Sequence, residues 1–217
     1  MNNSSNEESA TTDDDGIIEF IPPNTEELVI VKAPEHDDVI RPNIIFSDEL
    51  IPSFILGETD IRVELSHLVM LQQAAIALLA QAQREILLLS PDLEHERFDN
   101  PAFVEALSAF ARSSRYTKTQ ILIAEPRLAI EDGHRLVKLM RRLSSLIEIR
   151  QLHENDIEHC EAILVADNIG LLRCTNRDPW QGSLLPKGTP YAQQKRERFV
   201  EYWERAHEIS DFRELKI

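Results

Sequence analysis

Cysteine is scarce in this chain, and long apolar runs are absent. Cys160 and Cys174 are the only cysteines among 217 residues, too few for the disulfide framework typical of small secreted domains. We predict two free thiols of a buried hairpin, with a disulfide as the alternative. No apolar run reaches the roughly 18 to 20 residues that a membrane span needs, because polar side chains interrupt even the stretch Leu65–Ala82.

A secretory signal is also lacking. The first residues, Met1–Glu8, contain neither a basic head nor an apolar segment, which are the two parts that such a signal needs. The sequence therefore predicts a cytoplasmic protein with no membrane span.

Basic residues are few in the first quarter of the chain. Residues 1–60 contain 15 acids and two bases, whereas residues 61–217 contain 23 acids and 21 bases, so the net charge of −15 lies almost entirely in the first segment. An acidic segment repels phosphate backbones and anionic lipid. Nucleic acid is therefore not the expected partner, unless a local basic patch binds it.

The same segment differs from the rest in composition. Residues 1–16 are almost all polar or acidic, and prolines separate the short apolar patches that follow, such as Ile17–Ile21 and Leu28–Val31. This pattern predicts a leader over residues 1–52 that is disordered or extended and contacts a protein partner. We expect one folded domain over residues 53–217, beginning with a hairpin over Ser53–Glu64.

Beyond the leader, apolar strands alternate with amphipathic helices. Helices are predicted over the ranges His67–Arg84, Pro101–Arg112, Ile130–Ser145 and Tyr191–His207, and strands over Glu85–Leu89, Thr119–Ala124, Leu146–Leu152, Glu161–Ala166 and Ile169–Cys174. Short, continuously apolar strands between helices are typical of a parallel sheet covered on both faces. We predict an α/β domain with a mostly parallel central sheet, helices on both faces and a terminal hairpin. Thr175–Pro190 reads as a long polar loop.

Polar residues follow the predicted strands at the edge where α/β sheets bind ligands. Asp92, Arg127 and His153 come after three different strands, and His134 and Arg135 lie in the first turn of a helix. Free N–H groups at a helix start favour an anion. We predict a ligand site from these five residues, with capping or solvated roles as the alternative.

The segment from His159 to Asn176 resembles the phospholipase D superfamily. In that family a His-x-Lys-x4-Asp motif runs along a strand, turns, and leads into a strand that ends in a Gly-Ser-x-Asn-like element. The resemblance implies that the histidine forms a covalent phospho-histidine, that the lysine neutralises phosphate oxygens and that the aspartate orients a histidine. It makes His159 and Asp167 the candidate catalytic residues.

The match to this motif is incomplete. Glu161 stands in the lysine position, Ala166 stands where the aspartate is expected so that Asp167 comes one residue late, and no second motif exists in the chain. A carboxylate facing phosphate would bind it poorly.

Four further segments are similar to a bacterial family of uncharacterised phospholipase-D-like domains. They are Ser90–Leu93, Asp99–Pro101, Asp132–Leu136 with Arg141–Ser145, and Ala166–Leu172. We therefore expect a catalytically inactive module with a binding or regulatory role, without cofactor or metal. The alternative is a phosphodiesterase or nuclease in which a homodimer brings together one His159 from each chain.

Two other groups of residues are of types that bind ligands. His153, His159, Cys160 and Cys174 are metal-binding residue types, but their spacing is unlike that of common zinc sites. The last predicted helix combines Lys195, Arg196 and Arg198 with aromatic residues, yet Glu197, Glu201 and Glu204 interleave with its bases. A solvated helix face fits that pattern better than a nucleic-acid surface.

Overall fold

A computed structural model describes residues 51–213. Its strands are, in chain order, β1 (Val63–Leu65), β2 (Glu85–Ser90), β3 (Lys118–Ile123), β4 (Ile147–Gln151), β5 (Ala162–Ala166), β6 (Gly170–Arg177), β7 (Trp180–Leu185) and β8 (His207–Glu208). The leader segments Ile17–Ile21 and Leu28–Val31 lie outside the described residues, and the predicted boundary after residue 52 stays a prediction.

Helices follow or precede most of these strands. They are α1 (Leu68–Gln81), α2 (His95–Phe98), α3 (Pro101–Ser113), α4 (Arg127–Glu131), α5 (Arg135–Arg142), α6 (Tyr191–Arg205) and α7 (Ser210–Arg213), with a 3₁₀ helix at Glu154–His159. None of the helices in the described range is long and apolar enough to cross a membrane.

The prediction of a mostly parallel sheet is wrong. The described strands form one mixed sheet in the order β1-β7-β6-β5-β2-β3-β4-β8, and only the pairs β2–β3 and β3–β4 are parallel. The other five pairs are antiparallel. Helical crossovers keep β2, β3 and β4 parallel, whereas tight turns join β5, β6 and β7 into an antiparallel meander.

Two local predictions also differ from the structure. Strand β7 lies inside the segment Thr175–Pro190, which reads as a loop. The predicted hairpin over Ser53–Glu64 does not form, because β1 pairs with β7 instead and the N–H of Gly57 donates to the carbonyl of Pro186 at 3.0 Å.

The predicted helix over Ile130–Ser145 is interrupted. Helix α4 ends at Glu131, Gly133 has a φ of +61°, and α5 then begins with His134 as its N-cap. The Nδ1 atom of His134 accepts the N–H of Leu136 at 3.1 Å. A left-handed glycine after one helix and a capping side chain before the next are ordinary stop and start signals.

The sheet has a core on each face, as predicted. Apolar residues of α1, α3 and α5 pack on one face, with Leu78, Phe103 and Leu139 among the buried ones. Helix α6 covers part of the other face through Phe199 and Tyr202. The chain is therefore layered as helices, sheet and helix.

Strand directions define two edges of this sheet. Strands β2, β3 and β4 end at one edge, where β5 begins and the second half of β6 lies, as the pairs Ser90↔Ile123 and Ala162↔Cys174 show. We call this the crevice edge. Strands β2, β3 and β4 begin at the other edge, beside the turn that joins β5 to β6.

Candidate functional site

A strained turn follows β2 at the crevice edge. The Ser90 hydroxyl accepts the N–H of Leu93 at 2.9 Å, and Asp92 Oδ1 accepts the N–H of Glu94 at 2.9 Å. Leu93 and Glu94 have φ angles of +64° and +26°, a region that side-chain-bearing residues seldom adopt. The turn buries Glu94 to 3% exposure. Backbone strain of this kind often accompanies a functional site.

Four charged side chains form an ion network around this turn. Arg177, at the end of β6, donates to both oxygens of Asp92 at 2.9 Å and to Glu94 Oε1 at 3.3 Å. Glu94 Oε2 in turn accepts from Arg97 Nη1 at 3.3 Å. The Arg97 side chain is fully buried, and its Nε and Nη2 atoms have no hydrogen-bond partner among the described residues. The formal charges of the network cancel.

Burial and ion pairing act on these four groups in different proportions. Burial opposes ionisation of Asp92, but hydrogen bonds from Arg177 and from the N–H of Glu94 outweigh it and lower the Asp92 pKa. Burial likewise opposes the charge on Arg177, yet the bonds and charges of Asp92 and Glu94 raise its pKa. For Glu94 burial prevails over both arginines and raises its pKa. Burial also lowers the pKa of Arg97. The Asp92–Arg177 pair is thus the favourable part of the network.

Glu161, which occupies the lysine position of the motif, has two cations beside it. Lys195 of α6 hydrogen-bonds to Oε1, and Arg173 Nε lies 3.5 Å from Oε2. An amine from another element therefore lies beside Glu161, but the carboxylate of Glu161 already binds it. The sequence contains no local signal for this contact, because Lys195 follows Glu161 by 34 residues.

A cavity of about 270 Å³ lies at the crevice edge of the sheet. Its lining includes Cys160, Glu161, Arg173, Cys174 and Arg177. Each cation at the cavity or bonded to its lining residues has a carboxylate partner within the described part of the chain. An anion entering the cavity would have to displace a carboxylate.

The two cysteines in the lining are free thiols, as predicted. Burial raises the pKa of Cys160 to about 12, and burial also raises the pKa of Cys174. Thiolate is the reactive and metal-binding form, so burial disfavours that form at both cysteines. Neither His153 nor His159 lines the cavity, so the cavity does not bring these histidines together with the two cysteines as a zinc site would require.

The two candidate catalytic residues stand at opposite ends of β5. His159 ends the 3₁₀ helix and is exposed, and its ring has no hydrogen bond or ion pair with any described residue. Asp167 lies beyond the far end of the strand, where its carboxylate accepts the N–H groups of Gln83, Arg84 and Glu85 at 2.6 to 2.9 Å. The five residues of β5 span roughly 16 Å at about 3.3 Å each. Asp167 therefore anchors the start of β2 and does not contact His159.

The other predicted ligand-binding residues each have a nearby protein partner. Arg127 is 78% exposed and pairs with Glu131 at 3.4 Å. Arg135 pairs with Asp99 at 2.9 Å. His153 Nδ1 accepts the N–H of Asn155 at 3.3 Å. Asp92 is the member of the predicted set that lies within the ion network.

His134 connects helix α5 to the strained turn. It is 1% exposed, and its Nε2 atom is 3.2 Å from the carbonyl oxygen of Leu93. Because Nδ1 already accepts a backbone N–H, the proton resides on Nε2, and burial lowers the pKa of the ring. His134 comes near His95 and Asp99 in a group whose ligand atoms are close enough for a metal. Both of its nitrogens are engaged, so the group does not fit a metal site.

Sequence reasoning missed three of the residues that build the site. Glu94 and Arg97 are charged residues in a short helical segment, where their spacing is usual for a solvent-exposed pair. Arg177 is separated from Asp92 by 85 residues. The one available signal is the Ser-Pro-Asp sequence after a buried strand, which marks the turn but not its partner.

Comparison with known proteins places the chain in a family. The family model described as "Domain of unknown function (DUF7931)" matches residues 67–215. No curated protein sequence matches the chain.

Several solved structures are similar to this chain. TrmBL2, described as an archaeal chromatin protein with a novel mode of DNA binding, has a TM-score of 0.52 at 17% identity, covering 70% of this chain and 56% of TrmBL2. Phosphatidylserine synthase of Haemophilus influenzae Rd KW20 has a TM-score of 0.51 at 12% identity, covering 72% and 41%. Nuc from Salmonella typhimurium, a phospholipase D family member, has a TM-score of 0.49 at 14% identity, covering 69% and 99%.

These likenesses concern the fold alone, because every identity is low. The chain spans about half the length of TrmBL2 and less of the synthase, and it shares the α/β fold of both. The family assignment comes from the sequence match over residues 67–215. This chain belongs to the family described as "Domain of unknown function (DUF7931)".

Proposed function

We propose that the chain is a catalytically inactive phospholipase-D-like module with a binding or regulatory role in a bacterial cytosol. Its acidic leader would contact a partner protein. One observation carries the proposal: at the crevice edge, carboxylates of the chain itself already pair with Arg173, Arg177 and Lys195.

Transfer of a phosphoryl group requires positive groups that stabilise the charge on the phosphate oxygens in the transition state. Glu161 brings a negative charge to the position that the superfamily gives to lysine. Lys195 and Arg173 compensate this charge, which leaves the pair of cations and one carboxylate with a net charge of only +1. The oxygens of Glu161 would compete with a phosphate for both cations.

The candidate nucleophile also lacks orientation. A nucleophilic imidazole needs a partner that fixes its ring and its tautomer. His159 is exposed and has no such partner in the described part of the chain, and Asp167 binds backbone N–H groups elsewhere. Both features favour a role without phospho-histidine chemistry.

The alternative is a dimeric phosphodiesterase or nuclease. The exposure of His159 favours it, since a second protomer could approach the ring across a two-fold axis. Lys195 or Arg173 would then have to release the carboxylate of Glu161 and bind the phosphate instead.

Hydrolysis of bis(p-nitrophenyl) phosphate distinguishes the two. We expect no rate above the buffer for the full chain, for His159→Ala, or for Glu158→Ala, which alters an exposed neighbour of the histidine. Turnover that disappears in His159→Ala but persists in Glu158→Ala would establish the enzyme and overturn the proposal. Light scattering on the same samples would report whether such activity belongs to a dimer.

A further inference from the structure

Five exposed cations lie at the edge of the sheet opposite the crevice. We define the basic edge as Arg84, Arg112, Arg115, Lys118 and Arg142, all of which are exposed. Strands β2, β3 and β4 begin there, as the pairs Glu85↔Lys118 and Thr119↔Ile147 show. Helices α3 and α5 return the chain from the crevice edge, so their last turns, with Arg112 and Arg142, end at the same edge.

The cations of the basic edge differ from those of the crevice edge in having no counterion among residues 51–213. No described carboxylate lies within ion-pair distance of any of the five. The acids nearby are engaged elsewhere: Asp167 accepts three backbone N–H groups, and Glu85 pairs with Arg196. A surface with several uncompensated cations attracts polyanions.

An exposed aromatic ring lies within the basic edge. Tyr116 is 75% exposed, and the guanidinium carbon of Arg115 is 4.7 Å from the centre of its ring. The guanidinium lies over one face of the ring and also hydrogen-bonds to the Tyr116 hydroxyl, so the opposite face is the one that suits base stacking while the guanidinium contacts a phosphate. An acidic peptide would contact the cations but has no bases to stack on the ring. The exposed tyrosine therefore favours single-stranded nucleic acid over an acidic peptide.

We propose that the basic edge binds single-stranded nucleic acid, with the five cations on the phosphate backbone and Tyr116 stacked on a base. This surface is separate from the crevice, and the inference does not depend on the proposed loss of catalysis. The acidic leader, residues 1–52, has a net charge of −11 and would lower the affinity of the full chain through repulsion. Contacts between phosphate and exposed cations are strongest in low salt, which is therefore the condition for measurement.

Fluorescence anisotropy with a labelled 20-nucleotide single strand in about 50 mM salt tests the proposal on the full chain. Arg115→Glu with Lys118→Glu should weaken binding at least tenfold and lower the slope of log affinity against log salt by about 1.4, since each of the two lost phosphate contacts contributes about 0.7. Arg127→Glu with Arg198→Glu produces the same change of net charge away from this edge. We expect this control to bind within about threefold of the unaltered chain.

The tyrosine provides the second test. Tyr116→Ala should weaken binding at least about fivefold, whereas Tyr116→Phe, which keeps the ring, should bind as the unaltered chain does. Failure to bind in 50 mM salt, or equal weakening by the two charge-reversed pairs, would overturn the proposal. The proposal would also be overturned if Tyr116→Ala and Tyr116→Phe bound with equal affinity and a polyglutamate peptide fully displaced the labelled strand. That result would assign the basic edge to an acidic protein segment.

Discussion

Removing the guanidinium of Arg177 tests whether the ion network stabilises the strained turn. Arg177→Met keeps the unbranched stem and deletes two hydrogen bonds of 2.9 Å to Asp92. Bidentate bonds between ionised groups are among the strongest that proteins form. The side chain of Arg177 is 39% exposed and that of Asp92 25%, so solvent weakens the pair. We expect a coupling of about 1 to 2 kcal/mol, between the values for exposed and buried pairs.

A double-mutant cycle measures that coupling. Arg177→Met, Asp92→Asn and the double variant should be compared by urea unfolding at pH 7, followed through the fluorescence of Trp180 and Trp203. Each kcal/mol lowers the melting temperature by roughly 2 to 4 °C in a chain of this size. Arg177→Lys is the matched control, because it retains the charge but cannot form the bidentate contact. We expect Arg177→Lys to lose part of the coupling.

The coupling between Asp92 and Arg177 should also depend on pH, in a direction that the pKa of Asp92 determines. Since the pKa of Asp92 is lowered below its ordinary value of 3.8 in the fold, its contribution is present above that value and disappears as the pH falls through the folded pKa. The coupling should therefore vanish in strong acid. A coupling below about 0.5 kcal/mol at pH 7, or one that is unchanged at the lowest pH where the fold persists, would refute this account of the turn.

Two further predictions concern residues that the sequence analysis singled out. The ring of His134 should titrate below its ordinary pKa of 6.5 in NMR spectra, because burial disfavours the cation. The contribution of the neutral ring to stability is present above pH 6.5 and is lost as the pH falls. A titration midpoint at or above 6.5 would contradict this effect of burial. Asp167→Asn should lower the free energy of unfolding, measured in urea, by about 1.5 to 3 kcal/mol, because it weakens charge-assisted bonds to the start of β2. A loss under about 0.5 kcal/mol would show that these bonds do not need the charge of Asp167.

Local patterns predicted most of the long helices, the parallel strands and the hairpin of β5 and β6, but not β7, β8 or the pairing of β1 with β7. Apolar periodicity places α1, β2, α3 and β3 within a few residues of their observed bounds, because those elements bury a regular set of side chains. The sequence of β7 predicts a loop, because the strand follows Pro179 and contains Gly182. The glycine has a packing role: a Cβ there would lie 2.3 Å from the carbonyl oxygen of Arg173 on β6, so only glycine allows the two strands to approach.

The sequence pointed to the turn after β2 but not to the contacts that its charged groups make. The rule that ligand sites lie beyond strand ends directed attention to the segment Ser90–Asp92, where the structure has the strained turn and the ion network; ligand binding there stays a prediction. The partners of its charged groups depend on which strands become neighbours, and the pairing of Asp92 with Arg177 requires the antiparallel arrangement of β5 and β6 beside β2. Arg127 and Arg135, expected to share an anion, instead pair with Glu131 and Asp99.

Binding of inorganic phosphate to the full chain and to Glu161→Lys tests the central claim that the chain's own carboxylates occupy the cations of the crevice. Calorimetry should find no saturable binding by the unaltered chain up to about 10 mM. Glu161→Lys releases Lys195 and Arg173 from Glu161 and should bind with a dissociation constant near 1 mM, about −4 kcal/mol. Glu158→Lys, an equal change of charge on an exposed neighbour, should not. Submillimolar binding by the unaltered chain, or no gain in Glu161→Lys, would contradict the claim.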